Sequence, residues 1–120
     1  ELHEYYKIGI IANQSLGSKE RLERFGILKY IDVIVASAEE GVEKPDKRIF
    51  EIALKRAECE PEQAAMVGDR LDTDMVPANG IGMYTIWIKQ GDWKDASPRE
   101  VQEQPDMTVE SLSELCRKVL

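Results

Sequence analysis

Basic residues are in short supply in this chain. Lys and Arg together number 16 against 23 Asp and Glu, a formal net charge of −7 over 120 residues. That balance argues against a nucleic-acid partner, because phosphate backbones are held by basic surfaces. An anionic substrate would need local positive charge or a metal ion to offset the field. Cysteine is scarce too: Cys59 and Cys116 stand apart with no Cys-x-x-Cys. They read as reduced packing thiols of a cytoplasmic protein, not as a disulfide framework. No apolar run approaches membrane-spanning length, and no signal peptide, internal repeat or low-complexity tract is visible. Apolar content of 42% and charged content of 32% are ordinary for a globular protein, and 120 residues suffice for one domain with a real core.

The chain is best organised around Ala65-Met66-Val67-Gly68-Asp69-Arg70-Leu71-Asp72-Thr73-Asp74. The apolar run reads as a short buried strand. Gly68 is expected to let the chain turn sharply at the strand end. Asp69 then sits at the carboxyl end of the strand, where open α/β sheets place their ligands. A short helix starts over residues 73–78, with Pro77 near its front, where a missing N–H is harmless. Several carboxylates therefore gather at one strand tip. Hard divalent cations favour such oxygen ligands, and Mg²⁺ typically uses one or two carboxylates with phosphate and water. Helix chemistry offers a plainer account of two of them, Asp72 as an N-cap and Asp74 as a first-turn acid favoured by the helix dipole. An EF-hand is excluded, because the acid spacing fails after Asp74 and no Glu closes the loop.

Residues 1–6 read as the tail of a segment lying upstream, since residues 7–13 already have the composition of a buried strand. A loop over 14–17 leads to a short helix over 19–25, capped by Ser18 and ended by Gly26. A second strand, apolar on both faces, covers 32–36. Residues 37–43 are expected as a loop, and Lys44-Pro45 as the opening of a helix reaching about Ala57, with Ile49, Phe50, Ala53, Leu54 and Ala57 as its apolar stripe. A brief helical turn at 61–63 precedes the strand before Asp69. Strands follow at 83–88 and 106–109, with a turn-rich loop containing Trp93 and a helical turn over 98–104 between them. Ser111 caps a final helix carrying Leu112, Leu115, Cys116 and Val119. This alternation predicts an α/β fold: a three-layer, Rossmann-like parallel sheet with helices on both faces. Right-handed crossovers then bring the strand-end loops to one edge, with Asn13, Ser15, Lys44 and the acids Asp69, Asp72 and Asp74 among them. Lys44 at a helix start opposes the helix dipole. It is either a solvated lysine or a cation aimed at a phosphate or a carboxylate nucleophile.

In this order the motifs resemble those of the haloacid-dehalogenase-like (HAD) hydrolase superfamily, most of whose members are phosphatases. Ile8-Gly9-Ile10-Ile11-Ala12-Asn13 matches the second motif, Gly41-Val42-Glu43-Lys44-Pro45-Asp46 the third, and Val67-Gly68-Asp69-Arg70-Leu71-Asp72-Thr73-Asp74 the fourth. The resemblance covers nearly the whole chain. It implies a two-step phosphoryl transfer from a small phosphate ester, through an aspartyl-phosphate intermediate, with Mg²⁺ as cofactor. Lys44 is then the catalytic and phosphate-binding lysine, Asn13 offers its amide to the phosphoryl oxygens, and Asp69 and Asp74 are the metal residues.

The sequence departs from that pattern in two places. Ala12 stands where the family has Ser or Thr, so one hydroxyl donor is missing, and Ser15 is the candidate to replace it. The Asp-x-Asp nucleophile motif is absent ahead of Lys7, as is the cap domain that generally selects the substrate. The chain is therefore expected to be the C-terminal portion of a HAD-like hydrolase core, residues 1–120, inactive by itself. The competing reading is a non-catalytic relic that keeps the fold for protein–protein contact, with Ala12 as a sign of decay. A dehalogenase fits the acid-rich loop less well than metal-dependent phosphate chemistry. In the family the nucleophile strand lies between the strands placed here at 7–12 and 65–68. The vacancy is expected to be filled by the missing segment, by a second copy of the chain, or by closure of the flanking strands, with association in trans favoured over closure. No nucleic acid or membrane is expected as a partner.

Overall fold

The computed structural model describes residues 2, 6–13, 31–91 and 94–119. The helix expected over 19–25, Ser15 and Trp93 lie outside them. The chain divides into two compact units, Glu1–Cys59 and Glu60–Leu120.

In the first unit, β1 (Gly9–Ala12) and β2 (Val33–Ala36) run parallel, in register from Gly9 opposite Val33 to Ala12 opposite Ala36. A single helical turn, α1 (Ser37–Glu40), follows β2 where a loop was expected. Gly41 closes it: the glycine adopts the left-handed region at φ 77, and its N–H returns to the Ser37 carbonyl. Helix α2 (Lys47–Ala57) begins later than Lys44-Pro45 predicted, because Asp46 supplies the cap. Its side chain accepts the Arg48 N–H at 2.9 Å, so Pro45 is left ahead of the helix. The far end is near Ala57 as expected, and Glu58 turns the chain at φ 58. Ile49, Phe50 and Leu54 of α2 and Val33, Val35 and Ala36 of β2 are buried. Burial of side chains the size of Phe50 and Ile49 stabilises by about 1.5–3 kcal/mol each.

The second unit holds a parallel three-stranded sheet in the order β3 (Ala65–Gly68), β4 (Tyr84–Ile88), β5 (Met107–Val109). After β3 the chain makes a wide helical turn over Leu71–Met75, in which the Met75 and Val76 N–H groups reach back five residues to Arg70 and Leu71. It tightens into α3 (Val76–Ile81), with Pro77 in its first turn as the sequence implied. Gly82, at φ 92, ends α3. β4 is the middle strand, and Thr85, Ile86, Trp87 and Ile88 are all buried. A tight turn over Val101–Glu103 replaces the longer one expected at 98–104. Ser111 caps α4 (Leu112–Val119), its Oγ accepting the Glu114 N–H at 3.1 Å. Ile86, Ile88, Val109 and Leu115 form the core of this unit, flanked by Val67, Met107 and Val119.

All strand pairs are parallel, so the α/β class holds, but the described strands form two hydrogen-bonded sheets, not one. Among the described residues β1 pairs with β2, and β3 with β4. No described helix is long and apolar enough to cross a membrane.

Candidate functional site

In the first unit, Asn13 follows the apolar β1 directly, and its amide has to find partners beyond the strand. It finds both on Lys44: Asn13 Nδ2 donates to the Lys44 carbonyl at 3.0 Å, and the Lys44 N–H donates to Asn13 Oδ1 at 2.8 Å. The two bonds close a ring across 31 positions of sequence, so the amide does for this loop what a neighbouring strand does for a ladder. The sequence put Asn13 and Lys44 in one site, and the structure joins them. It adds that Asn13 sets the backbone of Lys44. Ser15, the candidate to replace the missing hydroxyl at Ala12, lies outside the described residues.

In the second unit, Asp69 leaves the tip of β3 exposed, and Asp74 is buried, 3% accessible. Gly68 explains that burial. Its φ is not in the left-handed region, so the expected freedom to turn is not what the glycine supplies. A Cβ built there would lie 2.6 Å from both the Cβ and the Cγ of Asp74, so the missing side chain is the notch that admits the carboxylate. Asp74 Oδ2 accepts the Arg70 N–H at 3.2 Å, and the Asp74 N–H returns to the Arg70 carbonyl. The Arg70 main chain thus fixes Asp74 from both sides.

The Arg70 side chain forks onto Asp72, with Nε to Oδ1 at 3.0 Å and Nη2 to Oδ2 at 2.7 Å. This hydrogen bond is the main reason the Asp72 carboxyl is held below the usual carboxylate range, with burial working against it. The same bond raises the guanidinium pKa, helped by the charges of Asp72, Asp74 and Asp69. Asp72 also accepts the Thr73 N–H at 2.9 Å, so it is committed to local structure, but inside the turn and not as the N-cap of the plainer reading: the cap position is Arg70, with no side-chain cap. Asp69 has a different partner: its carbonyl accepts the Trp87 indole N–H at 3.1 Å. Its Oδ2 lies 3.6 Å from the place a Cβ would take on Gly91.

Two carboxylates at a strand tip, one exposed and one locked in a notch, suit a hard cation that takes one or two carboxylates and completes its shell with water and phosphate. Among the described residues no group of three or more His, Cys, Asp or Glu gathers into a complete metal cage. Asp69 and Asp74 are oxygen donors of the kind a partial magnesium shell would use. Sequence reasoning missed Trp87 and the Arg70 main chain. Trp87 did leave a trace, since a tryptophan in a buried strand needs a partner for its N–H.

Parallel strands with polar groups at their carboxyl ends define a Rossmann-like α/β protein. The model of the HAD-hydrolase-like family matches residues 42–115, and the chain belongs to that family. It is 39% identical over 111 residues to a glyceraldehyde 3-phosphate phosphatase of Methanopyrus kandleri, a match covering 92% of this chain and 48% of that protein. It is 41% identical over 113 residues to the pyrimidine 5′-nucleotidase YjjG of Escherichia coli, covering 91% of this chain and 48% of the relative. The crystal structure of a HAD phosphatase from Thermococcus onnurineus matches with a TM-score of 0.81 at 30% identity, over 95% of this chain and 50% of that one. The chain spans about half the length of the curated relatives it matches.

Proposed function

We propose that these 120 residues are the C-terminal portion of a magnesium-dependent HAD phosphohydrolase that cleaves small phosphate monoesters. The observation that carries the reading is the notch at Gly68, which buries Asp74 against the Arg70 main chain beside an exposed Asp69. An acidic loop serving only to cap a helix has no need of a glycine cut to the shape of one carboxylate. The relatives named above differ in the substrates their names give, a triose phosphate and pyrimidine nucleotides. What they share is a phosphate ester on a small molecule, and that class is the one proposed.

In this reading Lys44 neutralises the phosphoryl oxygens and orients the attacking carboxylate, and Asn13 holds the Lys44 loop in place. The second hydrogen on Asn13 Nδ2 is the one this reading assigns to phosphate. Asp69 and Asp74 hold Mg²⁺. When bound, that ion offsets negative charge on the phosphoryl oxygens. The nucleophilic Asp and the general acid, two residues apart, come from a part of the full-length protein outside this chain. The nucleophile forms the aspartyl–phosphate bond as the ester P–O bond breaks. The acid protonates the leaving oxygen, and water then hydrolyses the acyl phosphate. With Ala12 in place of a hydroxyl, Lys44 carries more of the phosphate charge than it would otherwise. In the full-length protein, Lys44→Ala is expected to lower kcat/KM on an aryl phosphate by about 10²–10³-fold, and Asp69→Ala to abolish the Mg²⁺ dependence. Unchanged kinetics in both variants would remove this reading.

A further inference from the structure

We propose that Trp87 is a positioning residue for Asp69, fixing the main chain of the metal ligand so that its carboxylate meets Mg²⁺ ready-oriented. The inference rests on the reading of Asp69 as a magnesium ligand. Trp87 is the register partner of Gly68, one strand away from the turn that carries Asp69. Its indole N–H crosses to the Asp69 carbonyl at 3.1 Å. The residue is only 3% accessible, so the indole N–H is withdrawn from bulk water and takes this carbonyl as its partner in a part-buried bond. Two residues on, the Lys89 ammonium lies 5.5 Å from the indole ring centroid and braces the ring. Further along, Gly91 turns at φ 77, and a Cβ built there would lie 3.6 Å from Asp69 Oδ2. The run that continues β4 therefore holds the Asp69 main chain through the indole, and Asp69 itself remains exposed.

A ligand on a free turn must be ordered when the ion arrives, and that ordering weakens binding. Anchoring the main chain removes the cost in advance, as groups behind metal ligands commonly do. A tryptophan that served only as core would not need its N–H aimed at this one carbonyl.

Trp87→Phe keeps the ring and deletes the N–H, and the test is a Mg²⁺ titration of the full-length protein followed by thermal unfolding. The midpoint for Mg²⁺ is expected to rise about tenfold, the lower end of what loss of a group behind a metal ligand does. The stabilisation that Mg²⁺ adds over the metal-free protein is expected to shrink with it. A purely packing role would lower both melting temperatures equally and leave the midpoint where it was, and that result overturns the proposal. Asp69→Asn is the companion variant. If the wild type responds to Mg²⁺ and Asp69→Asn responds equally, the assignment of Asp69 fails and the proposal with it. If the wild type does not respond at all, the magnesium reading fails and takes the proposal with it. Should Trp87→Phe not fold, the wild-type indole N–H resonance decides, assigned with Trp93→Phe. It is expected to shift with the Mg²⁺ midpoint and to stay fixed in Asp69→Asn. A resonance unmoved by Mg²⁺ in the wild type overturns the proposal.

Discussion

Gly68 and Asp74 form one object at the residue scale. A side chain on the first would occupy the space of the second, because an added Cβ falls 2.6 Å from the Asp74 side chain. Gly68→Ala must therefore either displace Asp74 from its bond to the Arg70 N–H or shift the tip of β3. Forced overpacking of this kind costs about 1–3 kcal/mol. We expect Gly68→Ala to lower the unfolding free energy read by denaturant titration by that amount and to weaken the Mg²⁺ response as well. Normal stability and normal Mg²⁺ binding in this variant would show that the notch has no such role. Asn13 makes a similar point. Both ends of its amide are bound to the Lys44 backbone, so its first task is to hold that lysine's loop.

Helix α2 shows how a start is chosen at the scale of elements. Pro45 is a good first-turn residue, but Asp46 is a better cap, and its carboxylate takes the Arg48 N–H as well as the Arg48 guanidinium. The Arg48 side-chain bond, followed by the backbone bond, lowers the Asp46 pKa from 3.8 to about 2. A folded-state pKa below the unfolded value means the contribution is fully present above about pH 4 and is lost as pH falls through about 2. The pair is open to solvent and screened, so the effect is small. It is read by difference: between pH 4 and pH 2 the wild type should lose more melting temperature than Arg48→Met, and parallel losses would contradict the assignment.

The same helix marks the limit of what the sequence discloses. Strands at 33–36, 65–68 and 84–88 were legible because they are short, largely apolar runs bounded by turn residues. The Ser111 cap and Pro77 in the first turn of α3 were legible because each is a local rule. The turn α1 was not, because no side chain caps its start, and the true start of α2 was not, because it depends on whether Pro45 or Asp46 opens the helix. In the candidate site, Asp69, Asp74 and Lys44 could be picked out by type and order. The Asn13–Lys44 ring, the notch at Gly68 and the Trp87–Asp69 bond required distance in space, which spacing along the chain does not encode.

For the molecule as a whole, the described strands leave β1 and β3 each with a single strand partner. Each buried backbone group left without a partner costs about 1–3 kcal/mol, against a net stability of about 5–15 kcal/mol for a domain. Open edges also invite pairing with another chain. We therefore propose that the 120-residue chain, prepared alone, associates with further copies of itself. Sedimentation with intact mass should show a species heavier than the chain. A clean monomer would contradict this.

Whether this chain carries the lysine and metal-binding parts of a phosphohydrolase whose nucleophile lies elsewhere in the full-length protein is decided by assaying the isolated chain and the full-length protein side by side on an aryl phosphate with Mg²⁺. Turnover by the full-length protein and none by the chain is the expected result. Metal-dependent turnover by the chain alone, lost on Asp69→Ala, would place the nucleophile among these residues, and an inactive full-length protein would favour a fold kept for contact over catalysis.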